Sequence, residues 1–243
     1  MKQRSLARNR WRRLGWLRFL LQLGSVALVY FLASVPSVLL FGQTNTGMLV
    51  SVVASMLAAL LVARLWLASD NALHFAWNIR PPVNLPRTLG LAALGTGGII
   101  ALFAIGHFVV EALGLPQVDV GLITDLATAS PVSFALWIVL VAWLAAGLGE
   151  ELLFRGFLLD RLMRLRGMRG RKWPAAILQA VVFGLPHLYQ GWGGVLVTAS
   201  VGLFLAWLRF ANRGNLWACI LAHAAVDTIM LSLAYSESLG WLT

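Results

Sequence analysis

Long apolar runs restrict the fold of this chain more than any other feature. Seven stretches are predominantly hydrophobic, and several reach the roughly 18–20 residues that a helix needs to cross a bilayer. They cover residues 19–41, 48–68, 89–113, 132–153, 173–188, 195–210 and 216–234. Only 12% of the 243 residues are charged and 60% are hydrophobic, which leaves too little polar surface for a soluble globule. We therefore predict an all-α, polytopic transmembrane bundle of about seven spans, with eight helices as an alternative.

The distribution of charge predicts how these spans are oriented. A net charge of +10 would suit a nucleic-acid-binding protein, but the basic residues alternate with the spans. Lysines and arginines occupy the N-terminal segment and every second connection, whereas the intervening connections contain none. By the positive-inside rule this places the N-terminus in the cytoplasm and the C-terminus outside, and we expect no nucleic-acid partner. We divide the chain into a basic cytoplasmic segment, 1–18, and a single transmembrane domain, 19–243.

Ionisable residues within a span are costly and are candidates for a functional site. The first group is Glu150, Glu151 and Arg155, within an apolar helical run. Adjacent glutamates point about 100° apart on a helix, and the spacing of four pairs Glu151 with Arg155. Glu150 is then left without a local partner, which suits a general acid or base. The alternative is that both glutamates lie at the membrane interface and cap the basic loop.

Two later spans carry further polar groups. His187 lies deep in span five directly after a proline, and His223 precedes Asp227 by one helical turn in span seven. A carboxylate one turn away can hold an imidazole ring and fix its tautomer. The alternatives are a histidine at the outer interface and a purely structural pair. His107 and Glu111 repeat the spacing beside an exit loop, where we interpret them as an interfacial pair.

These residues form three motifs that resemble the CPBP family of intramembrane proteases, also called the Abi or CAAX-protease family, which includes the type II CAAX prenyl endopeptidases. The family shows Glu-Glu-x-x-x-Arg, Phe-x-x-x-His and His-x-x-x-Asn/Asp, in that order. Here they read Glu150-Glu151-Leu-Leu-Phe-Arg155, Phe183-Gly-Leu-Pro-His187 and His223-Ala-Ala-Val-Asp227. The resemblance covers roughly 147–227, whereas 1–130 show only the pattern of spans.

The resemblance implies hydrolysis of a peptide bond inside the membrane. It makes Glu150 the general base that activates water and His187 a holder of that water, while His223 and Asp227 complete the site and are candidates to stabilise the oxyanion. Asp227 stands where eukaryotic prenyl proteases tend to carry asparagine, and an ionised aspartate cannot donate the hydrogen bond that asparagine donates. The residues expected to support the site structurally are Glu151, Arg155 and Phe183.

The resemblance leaves the cofactor open. The family has been labelled a metalloprotease family, yet the motifs lack the His-Glu-x-x-His helix that places two zinc ligands on one face. We favour a site without a cofactor. The alternative is a divalent metal such as zinc, held by Glu150, His187 and His223.

We expect a membrane-associated or lipid-anchored peptide or protein substrate, in a bacterial plasma membrane, and no oligomeric state is predicted. Two other classes of function remain open, a catalytically silent scaffold or immunity protein and a small proton-coupled transporter. The candidate residues meet within the membrane only if span four slides toward 140–162 or span five breaks near Pro186. We expect the site to open toward the basic face.

Overall fold

The structure is a computed structural model that describes residues 14–242, and its regular elements are all helical, with no β-strand in that range. The predicted all-α fold is therefore confirmed. Most of the basic segment 1–18 lies outside the described residues. The helices are α1 (Trp16–Phe41), α2 (Asn45–Ser69), α3 (Leu73–Ala76), α4 (Leu85–Ala112), α5 (Gly121–Thr128), α6 (Pro131–Arg164), α7 (Lys172–Gly184), α8 (Gly191–Ala211) and α9 (Trp217–Ser238).

Local sequence explains where several helices begin. Thr44, Asn84 and Ser130 precede α2, α4 and α6, and each side chain accepts a hydrogen bond from a backbone N–H in the first turn. Such caps satisfy donors that have no partner inside the helix. Polar residues between the apolar runs thus define where these three helices begin.

Six helical ranges of the described chain are long and apolar enough to cross a membrane. Five of them correspond to single predicted spans, and the range Lys172–Ala211 contains two, α7 and α8. Large apolar side chains remain exposed along α1, as expected for a surface that faces lipid. The chain is therefore a polytopic helical membrane protein.

Helices α7 and α8 pack against each other as an antiparallel hairpin. A Cβ on Gly184 would touch Val195 and Ala199, which shows how closely the two backbones approach. The reversal follows Leu185–Gln190, a 3-10 helix, and occurs at Gly191, whose φ of 84° favours glycine. Span five was predicted as one helix over 173–188, but its α-helix ends at Gly184, immediately before the predicted break at Pro186.

Helix α6 is the central element. Span four was expected over 132–153 or beyond, and the helix continues without interruption to Arg164. From Trp137 to Leu158 it is π-helical, a rare winding in which backbone N–H groups bond five residues back and which is frequently found at functional sites. The first motif therefore lies well inside a long helix. The sequence required either a shift of span four or a break in span five, and the structure shows an extended span four together with an α-helix of span five that ends at Gly184.

Three arginines outside the motifs are buried in helices. Arg161 and Arg164, which lie between predicted spans four and five, belong to α6, and Arg209 belongs to α8. The first two are buried because they pair with acidic side chains, whereas the guanidinium of Arg209 donates to backbone carbonyls. The orientation across the membrane, inferred from the basic residues, stays a prediction.

Arg161 and Arg164 belong to a group of charges that joins α1, the end of α2 and the end of α6. We call it the end cluster, and its members are Arg18, Gln22, Asp70, Asp160, Arg161 and Arg164.

Candidate active site

Helix α6 directs its two adjacent glutamates into different environments. Glu151 is fully buried and pairs with Arg155 over 3.0 Å, and the arginine is also fully buried. The side chain of Glu150 is 23% exposed. The predicted ion pair and the different orientation of Glu150 are both confirmed, so a placement of both glutamates at an exposed interface is wrong.

His223 of α9 connects the two glutamates. Its Nδ1 lies 2.9 Å from Oε1 of Glu151, and its Nε2 lies 3.9 Å from Oε2 of Glu150. Oε1 of Glu151 also accepts from Arg155, so it acts as the acceptor and Nδ1 of His223 must carry the proton. The Nε2 atom is therefore the ring nitrogen that is free of the buried pair, and it faces Glu150.

Asp227 lies on the same side of the His223 ring as Glu150. Its Oδ2 is 3.8 Å from Nε2, beyond hydrogen-bond distance, and its side chain is 32% exposed. The sequence suggested that Asp227 would hold the ring and fix the tautomer. The structure assigns that contact to Glu151, because α9 packs on α6 at the level of this buried glutamate.

The second motif lies beside these groups at the end of α7. Nδ1 of His187 is 3.1 Å from the backbone oxygen of Phe183, which can only accept, so Nε2 is again the free nitrogen. The ring centroid of Phe183 lies 5.5 Å from that of His187 and 6.3 Å from that of His223. The Arg155 guanidinium stacks on the same ring at 4.0 Å. Phe183 thus links all three motifs.

Close helix contacts at two glycines bring these motifs together. A Cβ on Gly147 would lie 2.7 Å from Cβ of Ala224, one residue after His223. A Cβ on Gly149 would lie 2.5 Å from Cγ of Met56. Helix α6 is therefore approached by α9 on one side and by α2 on another at the position of the glutamates.

Two side chains outside the motifs hold the backbone of α6. Nε1 of Trp77 donates to the carbonyl of Leu152 over 2.8 Å, and Arg209 donates to the carbonyl of Arg155. The sequence gave no signal for either residue, because both lie outside the three motifs and contact distant parts of the chain.

Two tyrosines are further neighbours of Glu150 that the sequence analysis did not identify. Tyr30 of α1 and Tyr189 of the 3-10 helix both interact electrostatically with Glu150. The ring of Tyr189 stacks on His187 with centroids 6.2 Å apart. A tyrosine in the middle of an apolar run was the available signal for Tyr30.

The proposed metal ligands do not form a ligand cluster. Within residues 14–242, no group of three or more His, Cys, Asp or Glu side chains is arranged to hold a metal ion. The set Glu150, His187 and His223 is not among such groups, and the choice between a site with and without a metal stays a prediction. His107 and Glu111 likewise form no ion pair in this part of the chain, and they lie outside the site.

Fold and site together define a polytopic helical membrane protein with an acid–histidine site between its helices. Residues 131–229 match the family model described as Type II CAAX prenyl endopeptidase Rce1-like. This match contains all three motifs and confirms the resemblance to the CPBP, or CAAX-protease-like, family, which is a family of proteases. Comparisons with curated proteins and with solved structures gave no match.

Proposed function

We propose that this protein is an intramembrane endopeptidase that hydrolyses a peptide bond of a membrane-associated substrate with water activated by Glu150. The observation that carries the proposal is the arrangement around His223. One ring nitrogen is bonded to the buried pair of Glu151 and Arg155, and the other faces the accessible carboxylate of Glu150. The buried pair fixes the ring, so the exposed side keeps a defined geometry for chemistry.

In this mechanism the Glu150 carboxylate removes a proton from water while the water oxygen attacks the substrate carbonyl carbon. The carbon–nitrogen bond then breaks, and the proton on Glu150 passes to the departing amine. The products are a carboxylic acid and an amine. His187 and His223 each direct Nε2 away from the partner of Nδ1, where this nitrogen can form a hydrogen bond with the water and orient it.

In this proposal Asp227 has a different role from the one that the family motif suggests for an asparagine at the same position. Its carboxylate lies near Nε2 of His223 and can only accept hydrogen bonds when ionised. We assign it to orienting His223 and the water, while the developing oxyanion requires a donor. The phenols of Tyr30 and Tyr189 are donors in the electrostatic surroundings of Glu150.

The substrate that fits this position is a lipid-anchored or membrane-associated peptide, because the site lies between helices that cross the bilayer. We place the protein in a bacterial plasma membrane with its N-terminus in the cytoplasm and its C-terminus outside. We propose no oligomeric state.

The decisive experiment compares Glu150→Ala with Glu237→Ala, an exposed glutamate on α9 remote from the site. Purified full-length protein in detergent is assayed with quenched-fluorescent peptides, one prenylated and one unmodified. We expect Glu150→Ala to lose cleavage by about 10²–10⁴-fold, the contribution typical of a general base, without loss of helix content. Glu237→Ala should cleave like the unaltered protein.

Retention of full cleavage by both Glu150→Ala and His187→Ala would overturn the enzyme proposal. A scaffold without catalysis or a proton-coupled transporter would then be the better explanation. Faster cleavage of the prenylated peptide would indicate a lipid-anchored substrate. Equal rates for the two peptides would indicate that the enzyme recognises the peptide without its lipid.

Cofactor dependence is tested with the same peptides. We propose that the reaction proceeds without a metal, so treatment with a strong chelator followed by its removal should leave the cleavage rate within about twofold. Complete inhibition that is reversed by added zinc would contradict this part of the proposal, while leaving the role of Glu150 to the mutational test.

A further inference from the structure

The connection between α6 and α7 has a fixed backbone. Leu14 donates its N–H to the carbonyl of Arg164 over 3.0 Å and accepts from the N–H of Arg166 over 2.9 Å. Gly167 and Gly170 adopt φ values of 92° and 75°, which permit tight turns that other residues rarely make. The side chains of this connection therefore start from defined positions.

Three exposed arginines of this connection line one cavity. Arg166, Arg169 and Arg171, together with Gly167, surround a volume of about 310 Å³, at the lower end of the range for small-molecule sites. None of the three guanidinium groups makes a hydrogen bond or ion pair with any residue from 14 to 242. The nearby Arg161 and Arg164 point inward and are neutralised by Asp160. The cavity is thus strongly positive and has no acidic residue in its lining.

The cavity lies at one end of the helical bundle, where spanning helices end. It lies where α6 ends and α7 begins, and the exposed Trp16 and Trp173 lie near the same end of the bundle. Tryptophans are enriched at membrane–water interfaces. Helix α7 also starts at Lys172 without a side-chain cap, so its positive end adds to the field of the arginines.

We propose that the cavity lined by Arg166, Arg169 and Arg171 binds the phosphate group of an anionic lipid headgroup. Guanidinium groups bind phosphate through paired hydrogen bonds, and basic pockets at this level of a membrane attract anionic headgroups. A free phosphate offers the same chemistry, so the test separates the two sources. This site is distinct from the acid–histidine site and does not depend on the proposed peptidase activity.

The test uses full-length protein in detergent and native mass spectrometry. Short-chain phosphatidylglycerol, phosphatidylcholine and inorganic phosphate are added separately and then in competition. The variant replaces Arg166, Arg169 and Arg171 with glutamine. The control replaces Arg64, Arg80 and Arg213 with glutamine. These three arginines are exposed and do not line the cavity, so the control loses the same charge as the cavity variant.

We expect phosphatidylglycerol to bind in preference to phosphatidylcholine, and the cavity variant to bind it about tenfold more weakly or worse while the control stays close to the unaltered protein. Displacement of the lipid by equimolar inorganic phosphate would support the cavity as a phosphate site and assign a soluble source. Equal losses in the cavity variant and the control would mean diffuse attraction and would overturn the proposal. Absence of any preference for phosphatidylglycerol would overturn it as well.

Discussion

Two groups of charged side chains lie inside this bundle, and they differ in how completely their charges are paired. In the end cluster, Arg18, Arg161 and Arg164 face the carboxylates of Asp70 and Asp160, and every charged member has an opposite charge within 2.7 Å. In the candidate site, Arg155 is the single arginine among three carboxylates.

Within residues 14–242, the two accessible carboxylates of the site, Glu150 and Asp227, have no ion-pair partner other than the ring of His223, at 3.9 and 3.8 Å. A fully paired group of charges holds helices together, whereas carboxylates left partly exposed and without close partners can act on a bound molecule. The pairing of charges therefore distinguishes a structural cluster from a candidate catalytic site better than the number of charged residues does. Glu151 belongs to the site by position but resembles the end cluster in its pairing.

The largest effect on stability is expected for Glu151→Gln. This change leaves the Arg155 guanidinium buried without its counter-charge, and we expect it to lower the free energy of unfolding by about 3–5 kcal/mol. Glu150→Gln, which removes no close ion pair, should change it by less than about 1 kcal/mol. Thermal unfolding in detergent compares the two variants. Equal destabilisation by both would remove the distinction between the adjacent glutamates.

A smaller loss of stability is expected for Asp160→Asn in the end cluster. Arg164 would lose its carboxylate, whereas Arg161 would keep its bond to Asp70, so we expect a cost of about 2–3 kcal/mol. Cleavage per folded molecule should stay within about twofold of the unaltered protein. A selective loss of activity with unchanged stability would show that the end cluster takes part in the chemistry.

A loss of about 1–3 kcal/mol in the free energy of unfolding, with a clear effect on activity, is expected for Gly147→Ala. The added Cβ would lie 2.7 Å from Ala224 and would displace α9, and with it His223, from the glutamates. We expect cleavage to fall about tenfold, because displacements near 1 Å impair catalytic geometry. Gly90→Ala is the matched control, since no atom lies within 4 Å of its Cβ and alanine favours a helix. Similar activity of both variants would contradict the role of this close contact.

The sequence by itself determined the class of fold and most of the members of the site. Apolar runs of membrane length predict spanning helices regardless of how these helices later pack, because the bilayer restricts what can cross it. The spacing of four also predicted the pair of Glu151 and Arg155, since that contact lies within one helix. The helix-breaking effect of Pro186 is local in the same way.

Only the tertiary structure decided how the pieces face each other. Asp227 was the expected partner of the His223 ring because both lie on one helix, but Glu151 makes the hydrogen bond from another. The burial of Arg209 likewise depends on carbonyls far away in the sequence. The spacing of side chains along the sequence predicts contacts within one helix. Contacts between helices depend on close approaches such as that of Gly147 to Ala224, and no periodic pattern in a single sequence predicts these approaches.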